Sequence, residues 1–216
     1  MNPVDVILPC LDEAAALPGV LAAMPAGYHP IVVDNGSTDG SPEVAAALGA
    51  TVVHEPVRGY GAAVHTGLCN ARTDVVCFLD ADGSLDPASL VALVSAVDGG
   101  ATLAVGRRVP TGRGVWPWHA RAGNRMLAAL LRRRGLAVTD IAPARAARRA
   151  DLLALDVRDR AFGYPLELLL RAARARWRVV ELDVPYGRRA AGTRSKVSGS
   201  VRGTVRAVRD MAGVLR

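Results

Sequence analysis

Short apolar runs alternate with amphipathic segments along the first half of the chain. The runs that predict strands are Val4–Pro9, Ile31–Asp34, Thr51–His54, Val75–Leu79 and Thr102–Gly106. Segments with helical spacing separate them, beginning near Asp12, Ser41, Arg58 and Pro87. Because strands that alternate with helices form parallel sheets, the pattern predicts a doubly wound sheet over residues 1–106, with helices on both faces.

Beyond residue 106 the pattern is less regular. The segments with helical spacing are 119–134, 162–176 and 201–216, the strand-like run is 179–184, and the loop-like segments are 109–118, 139–145 and 186–199. The last helix has an apolar stripe made of Val201, Val205, Val208, Ala212 and Leu215. That stripe would pack on the rest of the domain, lie on an anionic membrane, or pair with a second copy in a homodimer.

Length and composition favour one α/β domain over residues 1–216. Half of the residues are hydrophobic, which excludes a disordered chain. We expect no membrane-spanning helix and no signal peptide, because no apolar run is long enough and no basic leader precedes the first strand. The three cysteines lack metal-binding spacing and are expected to be reduced, which favours a cytoplasmic location. Peripheral attachment to the inner face of the membrane is the alternative.

The charge is unevenly distributed along the chain. It carries 27 basic and 20 acidic residues, and the basic excess lies from Arg107 onward. Lys196 is the only lysine, so arginine supplies nearly all of the positive charge. Such an excess has two explanations: genome composition, which the richness in both Arg and Ala suggests, or an anionic partner such as a nucleotide, a phospholipid surface or nucleic acid. We expect no nucleic acid, because aromatic residues, on which bases stack, make up only 4% of the chain.

Two carboxylates end the fourth predicted strand. Asp80 and Asp82 follow the buried-strand pattern of Val75–Leu79. The carboxyl edge of a parallel sheet is where ligands bind, and two aspartates one residue apart repel each other unless a cation lies between them. A divalent ion shared with substrate phosphates would relieve that repulsion. The alternative interpretation is a solvated turn, since Asp, Gly, Ser and Pro all favour turns.

Eight stretches in order resemble family 2 glycosyltransferases of the GT-A fold, and among them the polyprenyl-phosphate sugar transferases related to dolichyl-phosphate mannose synthase. The stretches are Val6–Glu13, Val33–Ser41, Arg58–Ala63, Phe78–Gly83, Gly106–Arg108, Thr139–Arg145, Gly163–Glu167 and Arg189–Gly199. The resemblance implies a GT-A fold: a Rossmann-like, mostly parallel sheet with a C-terminal helical and basic extension. It further implies a donor-binding half over 1–106, an acceptor half over 107–200 and an amphipathic helix over 201–216.

The resemblance also implies a nucleotide diphosphate sugar as donor, linked to UDP or GDP, with Mg²⁺ or Mn²⁺ as cofactor and inversion at the anomeric carbon. The residues that it places at the base, the ribose and their supporting loop are Pro9, Leu11, Glu13, Asp34 and Asp39. The residues that it places near the pyrophosphate and an acceptor phosphate are Arg58, Arg107, Arg121, Arg189, Ser195 and Lys196. Asp80 and Asp82 are implied to hold the donor and the metal ion, with Asp82 the preferred direct ligand.

The acceptor decides whether a general base is needed. A phosphate acceptor, such as a polyprenyl phosphate at a membrane surface, is ionised at neutral pH and needs no strong base. A small-molecule hydroxyl acceptor would need one, and the resemblance makes Asp140 the first candidate and Glu167 the second. In either case fixed cations would balance the charge that develops on the leaving diphosphate.

Some features depart from the family or fit other functions. Arg58 stands where relatives often have lysine, Ile141–Ala144 lacks the usual Gly and Phe, and no transmembrane pair follows Gly199. A sugar nucleotidyltransferase is disfavoured, because Leu11–Glu13 occupies the place of its glycine-rich loop. A non-enzymatic module that binds an anionic membrane or nucleic acid through the basic half is the other alternative. The tryptophans Trp116 and Trp118 would anchor a loop, stack on a sugar or anchor an interface, and the loop anchor is favoured.

Overall fold

The fold is built on one seven-stranded sheet. The structure is a computed structural model that describes residues 2–193 and 201–215, with side chains from residue 206 onward in the second segment. The strands are β1 (Val4–Cys10), β2 (Tyr28–Asp34), β3 (Thr51–His54), β4 (Val75–Phe78), β5 (Leu103–Pro110), β6 (Ala144–Arg148) and β7 (Val179–Tyr186). Their order is β3-β2-β1-β4-β6-β5-β7, and every neighbouring pair is parallel except the two that include β6. The prediction of a mostly parallel sheet is confirmed.

Helices cover both faces of the sheet. They are α1 (Leu17–Ala22), α2 (Ser41–Ala47), α3 (Tyr60–Asn70), α4 (Leu90–Asp98), α5 (Trp118–Arg133), α6 (Arg149–Ala154), α7 (Tyr164–Arg174) and α8 (Val201–Val214). Side chains alternate along β1, so that Ile7 packs in the core layer beneath α3 and α7, while Val6 and Leu8 pack in the layer beneath α1 and α4. This two-sided burial explains why the strands read as continuous apolar runs.

Strand β6 differs from the sequence-based expectation. Residues 139–145 are expected to be irregular, but Ala144–Arg148 is a strand that pairs antiparallel with both β4 and β5. Its Ala-Arg-Ala-Ala-Arg sequence has no β-branched or aromatic residue, so it carries no strand signal of its own. The unpaired backbone groups of β4 and β5 supply its hydrogen-bonding partners on both sides.

Helix α8 packs with a different face from the predicted one. In its described part, Ala207 is buried and Met211 and Val214 pack on the core. The predicted stripe members Val208 and Leu215 are instead 62% and 41% exposed. The helix therefore packs on α7, as one of the expected alternatives, but is rotated from the predicted face. Within the described residues, no helix combines the length and the apolar character needed to cross a membrane.

Candidate active site

Carboxylates gather at the edge of the sheet where the parallel strands end. Asp34 is the last residue of β2 and lies beside Cys10, the last residue of β1. Glu13 follows β1, and Asp80 and Asp82 follow β4, which pairs with β1. In open α/β sheets the carboxyl ends of the strands form the ligand-binding edge. The topology therefore brings together the acidic residues that the sequence places after three different strands.

Asp82 is buried beneath the loop that follows β7. Its Oδ1 accepts a hydrogen bond from the backbone N–H of Ser84 (2.8 Å). The Nη1 atom of Arg189 lies 2.8 Å from Oδ2, but no described residue donates a well-aligned hydrogen bond to that oxygen. Two backbone bonds hold the loop in place, from Ala190 N–H to Asp82 O (3.0 Å) and from Gly187 N–H to Ser84 O (2.8 Å). Asp82 Oδ2 is thus a buried oxygen with remaining capacity for a ligand.

The pKa of Asp80 also indicates a place for a positively charged ligand. Burial, together with the negative charge of Asp82, raises the pKa of Asp80 to about 6, although Arg189 and Arg108 oppose the rise. The positive charge of these arginines therefore does not offset the burial of Asp80 and its repulsion by Asp82. No described cluster of three or more His, Cys, Asp or Glu side chains is arranged to hold a metal. Mg²⁺ needs only one or two carboxylates when substrate phosphates and waters complete its shell, so this pair fits such an ion.

The loops after β1 and β2 are tied together above the sheet edge. Asp39 accepts hydrogen bonds from Ala14 N–H (2.9 Å) and from both the N–H (3.0 Å) and the hydroxyl (2.5 Å) of Ser41. Glu13 N–H donates to Ser41 Oγ (2.9 Å), and Glu13 Oε1 lies 3.7 Å from Arg189 Nη1. Asp39 thus braces the loop, which is the role that the resemblance implied. Pro9 and Leu11 flank the same turn, half-buried beside it.

Asp34 holds the turn that follows β2. It accepts hydrogen bonds from the N–H groups of Ser37 (3.0 Å) and Gly36 (3.3 Å), and His54 Nδ1 lies 3.4 Å away. Burial alone would raise its pKa, but the hydrogen bonds from Ser37 and Gly36 outweigh burial and lower the pKa. Arg58 Nη2 donates to the carbonyl of Gly36 (3.0 Å) from an exposed position. Asp34 is therefore an ionised carboxylate at the ligand-binding edge, and its own hydrogen bonds fix the turn that follows it.

Asn35 is a structural residue of this edge that the motif comparison passed over. Its amide nitrogen donates to the carbonyls of Glu55 (2.9 Å) and Val57 (2.8 Å), and its oxygen accepts from Gly59 N–H (2.7 Å). It joins the end of β2 to the segment that starts α3. An asparagine within a dense turn sequence reads as a turn former, so nothing in the sequence signals this bridging role.

Asp140 does not lie free in the cleft as a base would. It is 1% exposed and accepts hydrogen bonds from Arg108 at its backbone N–H (2.9 Å), Nε (2.9 Å) and Nη2 (2.7 Å), and from Ala142 N–H (3.0 Å). Burial would raise the pKa of Asp140, but the Arg108 guanidinium overrides that effect and lowers it. The structure does not support the predicted base role. Asp140 instead fixes Arg108.

Arg108 is the cation that Asp140 and two aromatic rings hold in place. Its guanidinium lies 4.1 Å from the ring centroid of Trp116 and 5.5 Å from that of Tyr186, and it is close enough to Asp80 to oppose the rise in that residue's pKa. Trp116 therefore anchors the loop 111–117, which is the interpretation that the sequence favoured for it. Arg107, the residue predicted for this role, forms a two-pronged ion pair with Asp183 instead (2.6 Å at both contacts).

Glu167, the second predicted base, is also engaged elsewhere. It lies in the first turn of α7 and accepts from the N–H groups of Arg158 (3.1 Å) and Asp159 (2.6 Å) and from Arg171 Nε (2.6 Å). Burial would raise its pKa, but these hydrogen bonds lower it. Glu167 therefore stabilises the segment before α7, and the predicted base role has no geometric support.

A basic cleft of about 240 Å³ lies between the end of β5 and α5. Its lining includes Arg107, Arg108, Arg121, Arg125, Arg132, Asn124, Thr139 and Asp140. Arg121 also lines an adjoining hollow beneath residues 110–116. Arg145 lies buried nearby on β6, where it donates to the carbonyls of Ile141 and Pro165, and no described residue partners its Nε. Ser195 and Lys196 lie outside the described residues.

Comparison with known proteins identifies the family. Residues 5–154 match the model of glycosyl transferase family 2. The chain belongs to this family. Relatives include an uncharacterized glycosyltransferase of Mycobacterium bovis, 56% identical over 98% of this chain and 97% of that protein, and polyprenol monophosphomannose synthase of Mycolicibacterium smegmatis, 34% identical over 90% and 81%. The predicted family and enzyme class are confirmed.

A solved structure confirms the fold of this family 2 glycosyltransferase. Glucosyl-3-phosphoglycerate synthase of Mycobacterium tuberculosis, in complex with Mn²⁺, UDP and glucosyl-3-phosphoglycerate, is 26% identical and superimposes with a TM-score of 0.78. The match covers 99% of this chain and 78% of that one. The same synthase has also been solved with Mg²⁺ and UDP. The predicted GT-A fold is therefore confirmed.

Proposed function

We propose that this glycosyltransferase moves a sugar from a nucleoside diphosphate sugar to an anionic phosphate-bearing acceptor, with inversion at the anomeric carbon. The preferred donor nucleotide is UDP, and GDP is the alternative. The observation that carries the proposal is the pair Asp80 and Asp82 at the ligand-binding edge, where no well-aligned hydrogen bond reaches the buried Oδ2 of Asp82 and the pKa of Asp80 is raised despite the nearby arginines. The complex of the M. tuberculosis synthase with Mn²⁺ and UDP supports the donor and the cofactor.

The residues around the pair fit the departure of a diphosphate. Asp80 and Asp82 would hold Mg²⁺ or Mn²⁺, which when bound neutralises the charge of the diphosphate oxygens. Arg108 and Arg189 face the same carboxylates, and their guanidinium groups suit phosphate oxygens in geometry and charge. Because Asp140 and its aromatic neighbours fix Arg108 in advance, that cation needs no reorganisation as charge develops on the leaving group.

The hydrogen bonds made by Asp140 and Glu167 favour an acceptor that is already ionised. Both candidate bases have their oxygens occupied by hydrogen bonds, so neither is free to deprotonate a hydroxyl. A phosphate oxygen attacks without a base, and the arginine-lined cleft is suited to bind it. Two related proteins act on phosphate-bearing molecules, since their names specify polyprenol monophosphomannose and glucosyl-3-phosphoglycerate. We place the acceptor in the second half of the chain and the donor in the first.

Calorimetry tests the donor and the metal together. We expect UDP to bind the wild-type protein in Mn²⁺ and to bind much more weakly in EDTA, and Asp82→Asn to remove the metal-dependent part. Asp98→Asn is the matched control, because Asp98 is an exposed carboxylate at the end of α4, far from the ligand edge. If neither UDP nor GDP binds in a metal-dependent manner, the proposal is wrong.

A transfer assay separates the acceptor classes. Radiolabelled UDP-sugars and GDP-sugars are incubated with a polyprenyl phosphate or with phosphoglycerate, and the product is partitioned between organic and aqueous phases. Transfer to the polyprenyl phosphate supports attack by a phosphate oxygen, which is that acceptor's nucleophile, and transfer to phosphoglycerate supports it where the sugar is bonded to the phosphate. Transfer only to hydroxyl oxygens would contradict the proposal, since it would require a base.

A further inference from the structure

The outer face of α5 is apolar and unusually exposed for such large side chains. Trp118 is 80% exposed and Met126 is 70% exposed. They lie eight residues apart on one side of the helix, and Ala122 and Ala129 continue the same side between and beyond them. We call these four residues the α5 outer stripe. The opposite side of the helix is buried through Asn124, Leu127, Ala128 and Leu131, so the stripe faces away from the core.

A row of arginines borders the stripe. Next to the stripe, along one side of the helix, lie Arg121, Arg125 and Arg132. These three arginines also line the basic cleft described above. Residues 111–135 contain six arginines and no acidic residue. The helix thus has three longitudinal surfaces, one packed on the core, one basic and one apolar. A helix that combines exposed Trp and Met with a basic row has the composition of helices that lie in the interface of an anionic membrane.

The position of α5 relates this surface to the carboxylate edge. Strands β4 and β5 run in the same direction, because each is antiparallel to β6, and β5 is followed by the loop 111–117, so α5 begins at the same edge of the sheet as Asp80 and Asp82. The arginine row lines the basic cleft together with Arg108, which lies on β5 just before that loop. A flat surface that contacted the stripe would therefore lie next to the mouth of the cleft.

We propose that the α5 outer stripe and its arginine row bind the surface of an anionic lipid bilayer. Trp118 would lie at the level of the head groups, where the amphipathic indole ring is favoured, with Met126 beside it. The arginines would contact lipid phosphates, which attract basic residues through the negative surface potential. This surface gives the phosphate of a membrane-borne acceptor a direct path into the cleft. The inference rests on the proposed function only for that last step.

Charge distinguishes a bilayer from a second copy of the chain. Symmetric dimers use the same patch on both subunits, so a dimer through this face would set two arginine rows against each other without an acidic residue from 111–135 to balance them. An anionic bilayer supplies the missing negative charge. Charge complementarity therefore favours the lipid surface as the occupant.

Vesicle co-sedimentation of the full chain tests the proposal. We expect binding to vesicles of equal parts phosphatidylcholine and phosphatidylglycerol, weaker binding in high salt, and little binding to phosphatidylcholine alone. The double substitution Trp118→Ser with Met126→Ser should lower the affinity about tenfold or more, because both groups leave the interface, and Arg125→Gln should lower it less. Leu48→Ser is the matched control: Leu48 is 49% exposed but lies at the end of α2, on the opposite edge of the sheet.

Fluorescence and nucleotide binding complete the test. Tryptophan emission should shift to the blue on adding anionic vesicles, and Trp118→Phe should remove the shift. The double variant should still bind UDP with Mn²⁺, so that a failure of the vesicle test is separable from a failure of the proposed function. Equal vesicle binding by the double variant and wild type would overturn the proposal. So would a wild-type dimer that the double substitution turns into a monomer without any vesicle binding.

Discussion

Asp80 and Asp82 are neighbouring carboxylates at the ligand-binding edge, and burial together with the charge of Asp82 disfavours the ionised form of Asp80. The rise in the pKa of Asp80 to about 6 means that the metal-free protein is destabilised when both groups are ionised at neutral pH. We expect Asp80→Asn to raise the free energy of unfolding in EDTA at neutral pH by about 1–3 kcal/mol. Denaturant unfolding measures this change.

The same variant should respond differently to ligand. Mn²⁺ with UDP should raise the unfolding midpoint of the wild-type protein, because a ligand that binds only the folded state stabilises it. Asp80→Asn should show little of this increase. If the variant is less stable than wild type in EDTA, the Asp80 carboxylate makes favourable contacts in the metal-free protein and is not a strained ligand position.

Asp140 and Arg108 allow a sharper test of a buried ion pair. We expect Asp140→Asn to destabilise the protein by about 3–5 kcal/mol, because the guanidinium of Arg108, only 16% exposed, is left without its counter-charge. It should also weaken UDP binding, because Arg108 loses the contacts that fix it. Asp183→Asn is the matched control: it breaks the exposed pair with Arg107 and should change stability little.

The pH dependence of the Asp140 effect follows from the lowered pKa. A carboxyl whose folded pKa lies below its unfolded value stabilises the folded state above the unfolded value, and that contribution is lost as the pH falls through the folded pKa. The stability difference between wild type and Asp140→Asn should therefore be full near neutral pH and shrink only below about pH 4. Unfolding curves at a series of pH values measure it. A difference that is constant down to strong acid would contradict this assignment.

At the scale of elements, close backbone contact fixes the start of α3. A Cβ atom on Gly61 would lie 2.5 Å from the carbonyl oxygen of Asp159 and 2.9 Å from Arg160 backbone atoms. We expect Gly61→Ala to destabilise the protein by about 1–3 kcal/mol, since a rigid backbone must move. Gly123→Ala is the control: a Cβ atom there meets nothing within 4 Å in the middle of α5, so it should stabilise by up to about 1 kcal/mol. Thermal and denaturant unfolding of both variants measures these changes in the free energy of unfolding.

The elements also show why some features could be predicted and others could not. The strands β1 and β4 carry apolar runs that end in acidic residues, so both the sheet edge and the Asp80 pair follow from local pattern. Strand β6 has no such pattern, because its partners on both sides impose its conformation. Arg107 and Arg108 differ by one residue, which on a strand exchanges the two faces, and family motifs do not resolve that difference.

The hydrogen bonds of the two candidate bases could not be predicted, for a related reason. Asp140 and Glu167 have the residue type that a base requires, but their hydrogen bonds come from residues 32 and 9 positions away in the chain, at Arg108 and Arg158. Tertiary contacts decide whether a carboxylate oxygen is free to act as a base. The sequence therefore indicates which residues are acidic near the site, while the fold decides which of them are available.

At the scale of the whole molecule, the two halves of the chain share one sheet. Strand β6, from the second half, lies between β4 and β5 of the first and bonds to both. One core layer joins Ile7 and Val33 to Leu131 and Leu169, which lie on opposite sides of residue 106. Neither half can therefore bury its apolar surface without the other, although the donor and acceptor roles are proposed to divide between them.

This shared sheet predicts one cooperative unfolding transition. All three tryptophans, Trp116, Trp118 and Trp177, lie in the second half, so their fluorescence reports on that half, while far-UV circular dichroism reports on the helices of both. We expect the two signals to give the same denaturant midpoint, as two-state unfolding requires. Adding UDP with Mn²⁺ should move both midpoints upward together, although the nucleotide is proposed to contact mainly the first half. Loss of the tryptophan signal at lower denaturant than the helical signal would show that the acceptor half unfolds separately, and would contradict a single domain over residues 1–216.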